Sequence, residues 1–164
     1  MGADPGATRS QSALRLQRRI PIGNILDTKR ALSSAEADAT VARYLDAYVN
    51  QTYRSLKNPR DGRPELAHLD AAESLPFALE VVFALHQRVR PYNKFLHWEL
   101  ERHPLNNAEW RAGQLLPAIH GILADGTPAL QRSLFLRIER SARLAGHDET
   151  LDDWREEALI LLRP

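Results

Sequence analysis

The chain has 164 residues, no cysteine and a formal net charge of +1. The length fits a single domain, and the lack of cysteine excludes a disulfide framework and a thiolate zinc site. The small net charge argues against a protein built chiefly to neutralise nucleic-acid phosphates, and no apolar run approaches the roughly 20 residues of a membrane span. These features predict a cytoplasmic location.

The first 33 residues are predicted to differ from the rest of the chain. Residues 1–23 are rich in glycine, proline, serine and alanine, and their charges are mostly basic. This composition predicts a flexible basic arm. A short helix capped at Asn24 and reaching Leu32 is expected next. Residues 34–164 are predicted to form a helical bundle domain.

A long helix is predicted to begin at a Ser33 or Ser34 cap and to run to about Asn58, because Pro59 follows. Apolar side chains repeat at helical spacing and predict one packed face: Val41, Leu45, Tyr48, Thr52 and Leu56. The other face carries polar, aromatic and basic side chains that could meet a ligand: Asp46, Asn50, Tyr53, Arg54 and Lys57. The plainer interpretation is a helix end with solvated cations.

A second helix is predicted from residue 64 onwards, roughly 20 residues long and ending near Arg90. Glu80 lies inside its apolar run, where an unpaired buried carboxylate would cost several kcal/mol. We therefore expect Glu80 to face water or to meet a cation. Arg54 and Arg90 are the expected partners, and Glu73 lies two turns earlier on the same side.

The remaining chain predicts short helices that are separated by proline and glycine. Residues 92–103 form a short helix or an irregular connection, and a longer helix follows a cap at Asn106 or Asn107 and stops at Gly126. Further helix starts are predicted at Thr127 with Pro128, and at Asp148 or Thr150. The whole sequence therefore predicts an all-α bundle of five or six helices.

The sequence contains none of the strong short signatures of common enzymes. It has no glycine-rich phosphate loop, HExxH motif, nucleophile elbow or Asp-x-Asp pair. Its six histidines do not stand at metal-ligand spacing, and the pair Asp70 and Glu73 is of a kind common on solvated helices. We therefore predict no metal site, no cofactor and no catalytic residue.

The segment from Arg88 to Trp98 is the second informative stretch, because it places cations and amides beside aromatic rings. Arginine and lysine suit phosphate or carboxylate ligands, and exposed rings suit a flat ligand. If this segment and the long helix converge, they form a basic pocket with Glu73 or Glu80 at its floor. Proline and aromatic residues are also common in the connections between the helices of a bundle, so the segment equally fits a purely structural turn. The predicted substrate-binding residues are Asn50, Tyr53, Arg54, Lys57, Glu73, Glu80, Arg90, Tyr92, Asn93 and Lys94.

Four segments carry a resemblance to a known family: YVNQTYRSLKN, DGR, LDAAES and RVRPYNKFLHWELERHPL. Across roughly residues 35–125 the chain resembles the C-terminal helical region of bacterial nucleotidyltransferase-like proteins of the DNA polymerase β superfamily. In such proteins an N-terminal α/β domain supplies a Gly-Ser motif and metal-binding aspartates. The first 34 residues here hold no such domain. The resemblance therefore implies a substrate-binding or partner-binding module. Its expected partner is a separate nucleotidyltransferase domain or a small-molecule acceptor.

A different family is the alternative. The bundle also resembles HEPN domains, some of which are metal-independent ribonucleases with an arginine followed by a histidine. Arg90 and His97 have six residues between them, which matches that spacing, although Pro91 stands where the family usually has a polar residue. The resemblance implies a histidine base and an arginine that stabilises phosphate charge, normally across a homodimer interface.

Overall fold

A computed structural model describes residues 31–163, which fold into seven α-helices. The prediction of an all-α fold is confirmed. The helices are α1 (Ser34–Arg60), α2 (Pro64–Ala84), α3 (Leu96–Arg102), α4 (Ala112–Ala124), α5 (Pro128–Leu144), α6 (Asp148–Asp152) and α7 (Glu156–Leu162), with 3-10 turns at Asn93–Phe95 and Ala108–Trp110. Residues 31–163 contain seven helices where five or six were predicted, because α6 and α7 replace one predicted final helix.

The described chain starts with two extended residues. Ala31 forms an isolated antiparallel bridge with Arg88, and the N–H of Leu32 donates to the carbonyl of Gln87 at 2.8 Å. The short helix predicted up to Leu32 therefore does not include these two residues, because their pairing requires extended backbone. The rest of that helix and the predicted arm fall in residues 1–30, outside the described part of the chain.

Helix α1 begins with the predicted cap. Ser33 Oγ accepts a hydrogen bond from the N–H of Glu36 at 3.3 Å, and the Glu36 carboxylate accepts one from the N–H of Ser33 at 2.9 Å. The Ser33 hydroxyl also donates to the Glu36 carboxylate at 2.7 Å, and this bond, together with the one from the Ser33 N–H, lowers the pKa of Glu36. The whole predicted inward face is buried: Val41, Leu45, Tyr48, Thr52 and Leu56. The helix continues two residues past Asn58, since the N–H of Asp61 still reaches the carbonyl of Lys57 at 3.0 Å.

Helices α1 and α2 form an antiparallel hairpin, and α4 to α7 cover the rest of the core. The rings of Tyr44 and Phe77 stack across the hairpin at 6.2 Å, and Tyr48 stacks with Phe135 of α5 at 6.4 Å. Burial raises the pKa of the Tyr48 hydroxyl. Among the helices of residues 31–163, none combines the length and the apolar character that crossing a bilayer requires.

Helix α2 ends at Ala84, earlier than predicted. Gln87 has a positive φ of 54°, and the N–H groups of Gln87 and Arg88 donate back to the carbonyls of Ala84 at 2.7 Å and Phe83 at 3.0 Å. This pair of bonds is a Schellman cap, which usually has glycine at the left-handed position. The chain therefore leaves the helix here, and residues 85–95 form an irregular connection to α3 that we call the elbow.

Helix α4 starts later than predicted. Asn107 is a cap, as expected, but its side chain accepts from the N–H of Glu109 and caps the 3-10 turn Ala108–Trp110. Arg111 is extended, with ψ at 158°, so α4 begins only at Ala112. The predicted cap at Thr127 is confirmed, because its hydroxyl accepts from the N–H of Leu130 at 3.5 Å.

Candidate functional site

Two arginines anchor the elbow to the helices on either side of it. The guanidinium of Arg88 donates to the Glu99 carboxylate and to the carbonyl of His103, at the start and end of α3. The guanidinium of Arg90 donates to the Glu80 carboxylate of α2, with 3.3 Å between Nη1 and Oε1. These two arginines therefore fasten the elbow to both α3 and α2.

Arg90 has three acceptors in all. Nη1 donates to the carbonyl of Pro76 and to Glu80, each at 3.3 Å, and Nη2 donates to Asn93 Oδ1 at 2.6 Å. Of the two outcomes expected for Glu80, facing water or meeting a cation, the structure shows an ion pair, and of the two expected partners it selects Arg90. The side chain of Arg90 is 16% exposed and that of Glu80 is 30% exposed, so the ion pair is partly shielded from water.

A groove of about 670 Å³ opens beside this ion pair, and we call it the elbow groove. It is lined by Glu80, Val89, Arg90, Pro91, Tyr92 and Asn93. Tyr92 is 80% exposed, so a face of its ring is accessible to a flat ligand. The groove therefore places a carboxylate, a guanidinium, an amide and an aromatic ring side by side.

A second cavity of about 310 Å³ lies between the elbow and the N-terminal half of α1. Arg43 and Tyr44 line it together with Glu80 and Arg90. The guanidinium of Arg43 lies 5.3 Å from the centroid of the Tyr44 ring. The sequence prediction omitted both α1 residues, because it chose side chains further along the helix. The antiparallel pairing of α1 with α2 was the signal that could have found them, since residues near Glu80 pair with the start of α1.

The basic and aromatic side chains predicted on the C-terminal half of α1 contact other parts of the bundle. Arg54 Nη2 lies 3.6 Å from Oδ1 of the buried Asp70. The ring of Tyr53 packs against Trp154 at 5.9 Å, and Lys57 Nζ lies 5.9 Å from the centroid of Tyr53. These contacts attach α1 to α2 and to the C-terminal helices.

The remaining predicted residues also have defined surroundings. Asn50 is exposed on α1, and Glu73 accepts a hydrogen bond from Gln51 Nε2 at 3.2 Å. Lys94 is exposed on the elbow, with Nζ 4.8 Å from the centroid of the Phe95 ring. The ten predicted residues thus form two groups, with Glu80, Arg90, Tyr92, Asn93 and Lys94 at the elbow end, and Asn50, Tyr53, Arg54, Lys57 and Glu73 towards the hairpin turn.

The prediction that all these residues share one pocket is wrong. Arg54 lies ten residues after Tyr44 on α1, which corresponds to about 15 Å along the helix axis at ~1.5 Å per residue. The antiparallel hairpin brings Arg54 to Asp70, near the turn, whereas Glu80 lies near Tyr44 at the opposite end. Four members of the elbow group line the elbow groove: Glu80, Arg90, Tyr92 and Asn93.

His97, the other residue of the ribonuclease alternative, lies on α3. Its Nε2 is 3.1 Å from Oε1 of Glu101, and its side chain is 69% exposed. It is not among the residues that line the elbow groove, whose arginine, Arg90, is paired with Glu80. Within one chain, the arginine and the histidine therefore do not line the same groove.

Carboxylates that could have held a metal have other partners. Asp70 Oδ2 accepts from Asn58 Nδ2 at 2.5 Å and its Oδ1 faces Arg54, while Glu73 binds Gln51. Across residues 31–163, no group of three or more histidine, aspartate or glutamate side chains is placed to hold a metal ion. The side chains at the elbow offer ion pairing, hydrogen bonding and ring stacking.

The chain matches no protein-family model, no curated protein and no solved structure. Its resemblance to the C-terminal region of nucleotidyltransferase-like proteins therefore stays a prediction from the sequence.

Proposed function

We propose that this chain is a substrate-binding helical module that holds a small polar acceptor molecule in the elbow groove and is not catalytic by itself. The observation that supports the proposal is the fixed arrangement of Glu80, Arg90 and Asn93 at the groove wall. Both terminal nitrogens of Arg90 already have acceptors, so its position does not depend on a ligand. A binding group that is ordered beforehand loses little conformational entropy when the ligand arrives.

The groove offers complementary contacts to a planar ligand with polar substituents. Glu80 contacts Arg90 through Oε1, which leaves Oε2 to accept a hydrogen bond from an amine or hydroxyl. The amide nitrogen of Asn93 can donate to a carbonyl, carboxylate or phosphate oxygen. The exposed ring of Tyr92 can stack on a flat group. The substrate class is therefore an amine-bearing or hydroxyl-bearing molecule with a planar part.

The resemblance noted in the sequence supplies the reaction in which such a module would take part. It implies that the helical part holds the acceptor of a nucleotide while another domain provides the Gly-Ser motif and the metal-binding aspartates. The sequence has neither motif, and residues 31–163 place no metal-binding cluster. In a complete enzyme, a separate nucleotidyltransferase domain would therefore carry the catalytic groups.

Screening the full chain by saturation-transfer NMR against a library of planar amines, alcohols and carboxylic acids tests the proposal. We expect a subset of compounds that compete with one another and lose binding in Glu80→Gln and in Tyr92→Ala. Lys57→Ala is the matched control, because it alters a polar side chain of the other group. Compounds that bind both groove variants as well as the wild type would contradict the proposal.

The ribonuclease alternative has a separate test. It is less well supported, because His97 pairs with Glu101 outside the groove lining. Wild-type protein and His97→Ala are incubated with single-stranded RNA in EDTA, and cleavage is followed on a gel. We expect intact RNA in both samples. Cleavage by the wild type that is lost in His97→Ala would favour the nuclease over the substrate-binding module.

A further inference from the structure

The second cavity, between the elbow and the N-terminal half of α1, shares part of its wall with the elbow groove. Glu80, Val89 and Arg90 line both spaces. The volume of the second cavity, about 310 Å³, is at the lower end of the range for small-molecule sites. A ligand whose amine meets Glu80 from the elbow groove can therefore extend another group into the second cavity.

The charged side chain that the second cavity gains from α1 is that of Arg43. Its guanidinium lies over the ring of Tyr44, 5.3 Å from the centroid, and this ring stacks on Phe77 of α2 at 6.2 Å. Phe77 and Glu80 are three residues apart, so they are neighbours on one side of α2. The paired rings therefore support Arg43 on α1 at a cavity that Glu80 lines from α2.

The three arginines that line the second cavity differ in their partners. Arg88 pairs with Glu99, and Arg90 pairs with Glu80. Arg43 is exposed, and within residues 31–163 its guanidinium contacts the Tyr44 ring and has no carboxylate at ion-pair distance. Of these three side chains, Arg43 is therefore the one that can bind an anionic group of a ligand without giving up an existing ion pair.

We infer that the acceptor molecule carries a carboxylate, which Arg43 binds in the second cavity while Glu80 accepts a hydrogen bond from the amine. A guanidinium presents two parallel N–H groups, which match the two oxygens of a carboxylate. The inference rests on the proposed substrate-binding function, and it narrows the substrate class to planar zwitterions such as an aromatic amino acid or an aminobenzoate.

The charges that line the second cavity favour a carboxylate over a phosphate. Because Arg88 and Arg90 each have a carboxylate partner, Arg43 supplies one positive charge for a ligand. A carboxylate brings one negative charge and matches it. A phosphate monoester brings about 1.5 to 2 negative charges at pH 7, and the excess would be repelled by the carboxylate of Glu80, which lines the same cavity.

Pairs of small molecules that differ only in a carboxylate test the inference. The pairs are phenethylamine with phenylalanine, tryptamine with tryptophan, and benzylamine with 4-(aminomethyl)benzoate, each titrated into the full chain and followed by NMR chemical shifts. We expect the carboxylate-bearing member of at least one pair to bind about three- to tenfold more tightly than the plain amine. Arg43→Gln should abolish this gain and leave the affinity for the plain amine unchanged. Arg43→Lys, which keeps the charge but loses the fork of N–H groups, should retain part of the gain.

Arg60→Gln is the matched control. Arg60 is exposed on the last turn of the same helix, about 25 Å from Arg43 along the axis at ~1.5 Å per residue. This variant removes the same charge from α1 and should keep the full gain from the carboxylate.

The outcomes separate this inference from the substrate-binding proposal. Amines that bind the wild type with no gain from a carboxylate in any pair would overturn the inference and leave the proposed function standing. A gain that persists in Arg43→Gln would also overturn it, by placing the carboxylate elsewhere in the site. Tighter binding of 4-(aminomethyl)phenylphosphonate than of 4-(aminomethyl)benzoate would overturn the choice of carboxylate. If none of these compounds binds, the inference fails, and the library screen decides the proposed function separately.

Discussion

The guanidinium of Arg90 and the carboxylate of Glu80 form an ion pair that joins the elbow to α2, with 3.3 Å between Nη1 and Oε1. The carbonyl of Pro76, one helical turn before Glu80, accepts a second bond from the same nitrogen. This pair sits at the wall of the elbow groove, so the position of the elbow and the shape of the groove depend on the same contact.

A double-mutant cycle on Glu80→Gln and Arg90→Met should give a coupling energy of about 1–2 kcal/mol, because the pair is partly shielded from water. Urea unfolding of the wild type, both single variants and the double variant measures it. The exposed pair of Lys57 and Asp61, 3.6 Å apart, is the matched control and should give about 0.3–0.5 kcal/mol. Equal coupling energies in the two pairs would show that partial burial does not strengthen the ion pair of Glu80 and Arg90.

Removing the buried carboxylate of Asp70 should destabilise the α1–α2 hairpin. Asp70→Ala leaves the amide of Asn58 without its 2.5 Å acceptor, and Arg54 loses its carboxylate. We expect a loss of about 2–3 kcal/mol in the free energy of unfolding, measured in urea. Asp61→Ala, at the exposed hairpin turn, is the control and should cost well under half as much. A similar loss in both variants would show that burial of Asp70 does not matter.

Gly126→Ala should destabilise the protein more than Gly146→Ala. Both glycines have positive φ, at 59° and 87°, so alanine incurs a backbone cost of about 1–2 kcal/mol at each. At Gly126 the new Cβ would also lie 2.8 Å from Cδ2 of His68, whereas nothing lies within 4 Å at Gly146. Thermal unfolding of both variants measures the difference. Equal shifts in Tm would mean that His68 moves aside freely.

Stability should fall in mildly acidic solution, in part through His86. Burial lowers the pKa of His86 below its ordinary value of 6.5, and the nearby charge of Arg88 lowers it further. The unfolded chain therefore binds a proton more readily than the folded chain, so the stability from the neutral imidazole is present above pH 6.5 and is lost as pH falls towards the lower folded pKa.

Urea unfolding at several pH values between about 7 and 5 measures this loss. His86→Gln should flatten the dependence, because the titrating group is gone. His97→Gln, at a side chain that is 69% exposed, is the control and should keep the wild-type slope. A wild-type slope in His86→Gln would show that other groups cause the acid sensitivity.

Much of the helical framework could be predicted because the sequence features that determine a helix, its apolar repeat and its capping residues, lie within a few residues of one another. The repeat of Val41, Leu45 and Tyr48 specifies the buried face of α1, and the cap at Ser33 specifies its start. The cap at Thr127 does the same for α5. Periodicity and capping depend on backbone geometry within one or two turns, so they can be read without knowing the fold.

The end of α2 was not predictable by the same means. Gln87 occupies a left-handed position that usually carries glycine, so the sequence has no glycine signal where the Schellman cap forms. The prediction therefore extended the helix too far. The extended pairing of Ala31 with Arg88 was also missed, because it joins residues that are 57 positions apart.

By itself, the sequence determined that the described chain is helical, which face of its long helix is buried, and that Glu80 would face water or meet a cation. The structure shows that it meets a cation. Only the tertiary structure decided which cation that is. The antiparallel hairpin places Arg54 beside Asp70 and leaves Glu80 to Arg90, because positions ten residues apart on a helix are separated by about 15 Å. The residues that were predicted to form one pocket therefore form two separate groups, and residues of one group line the elbow groove.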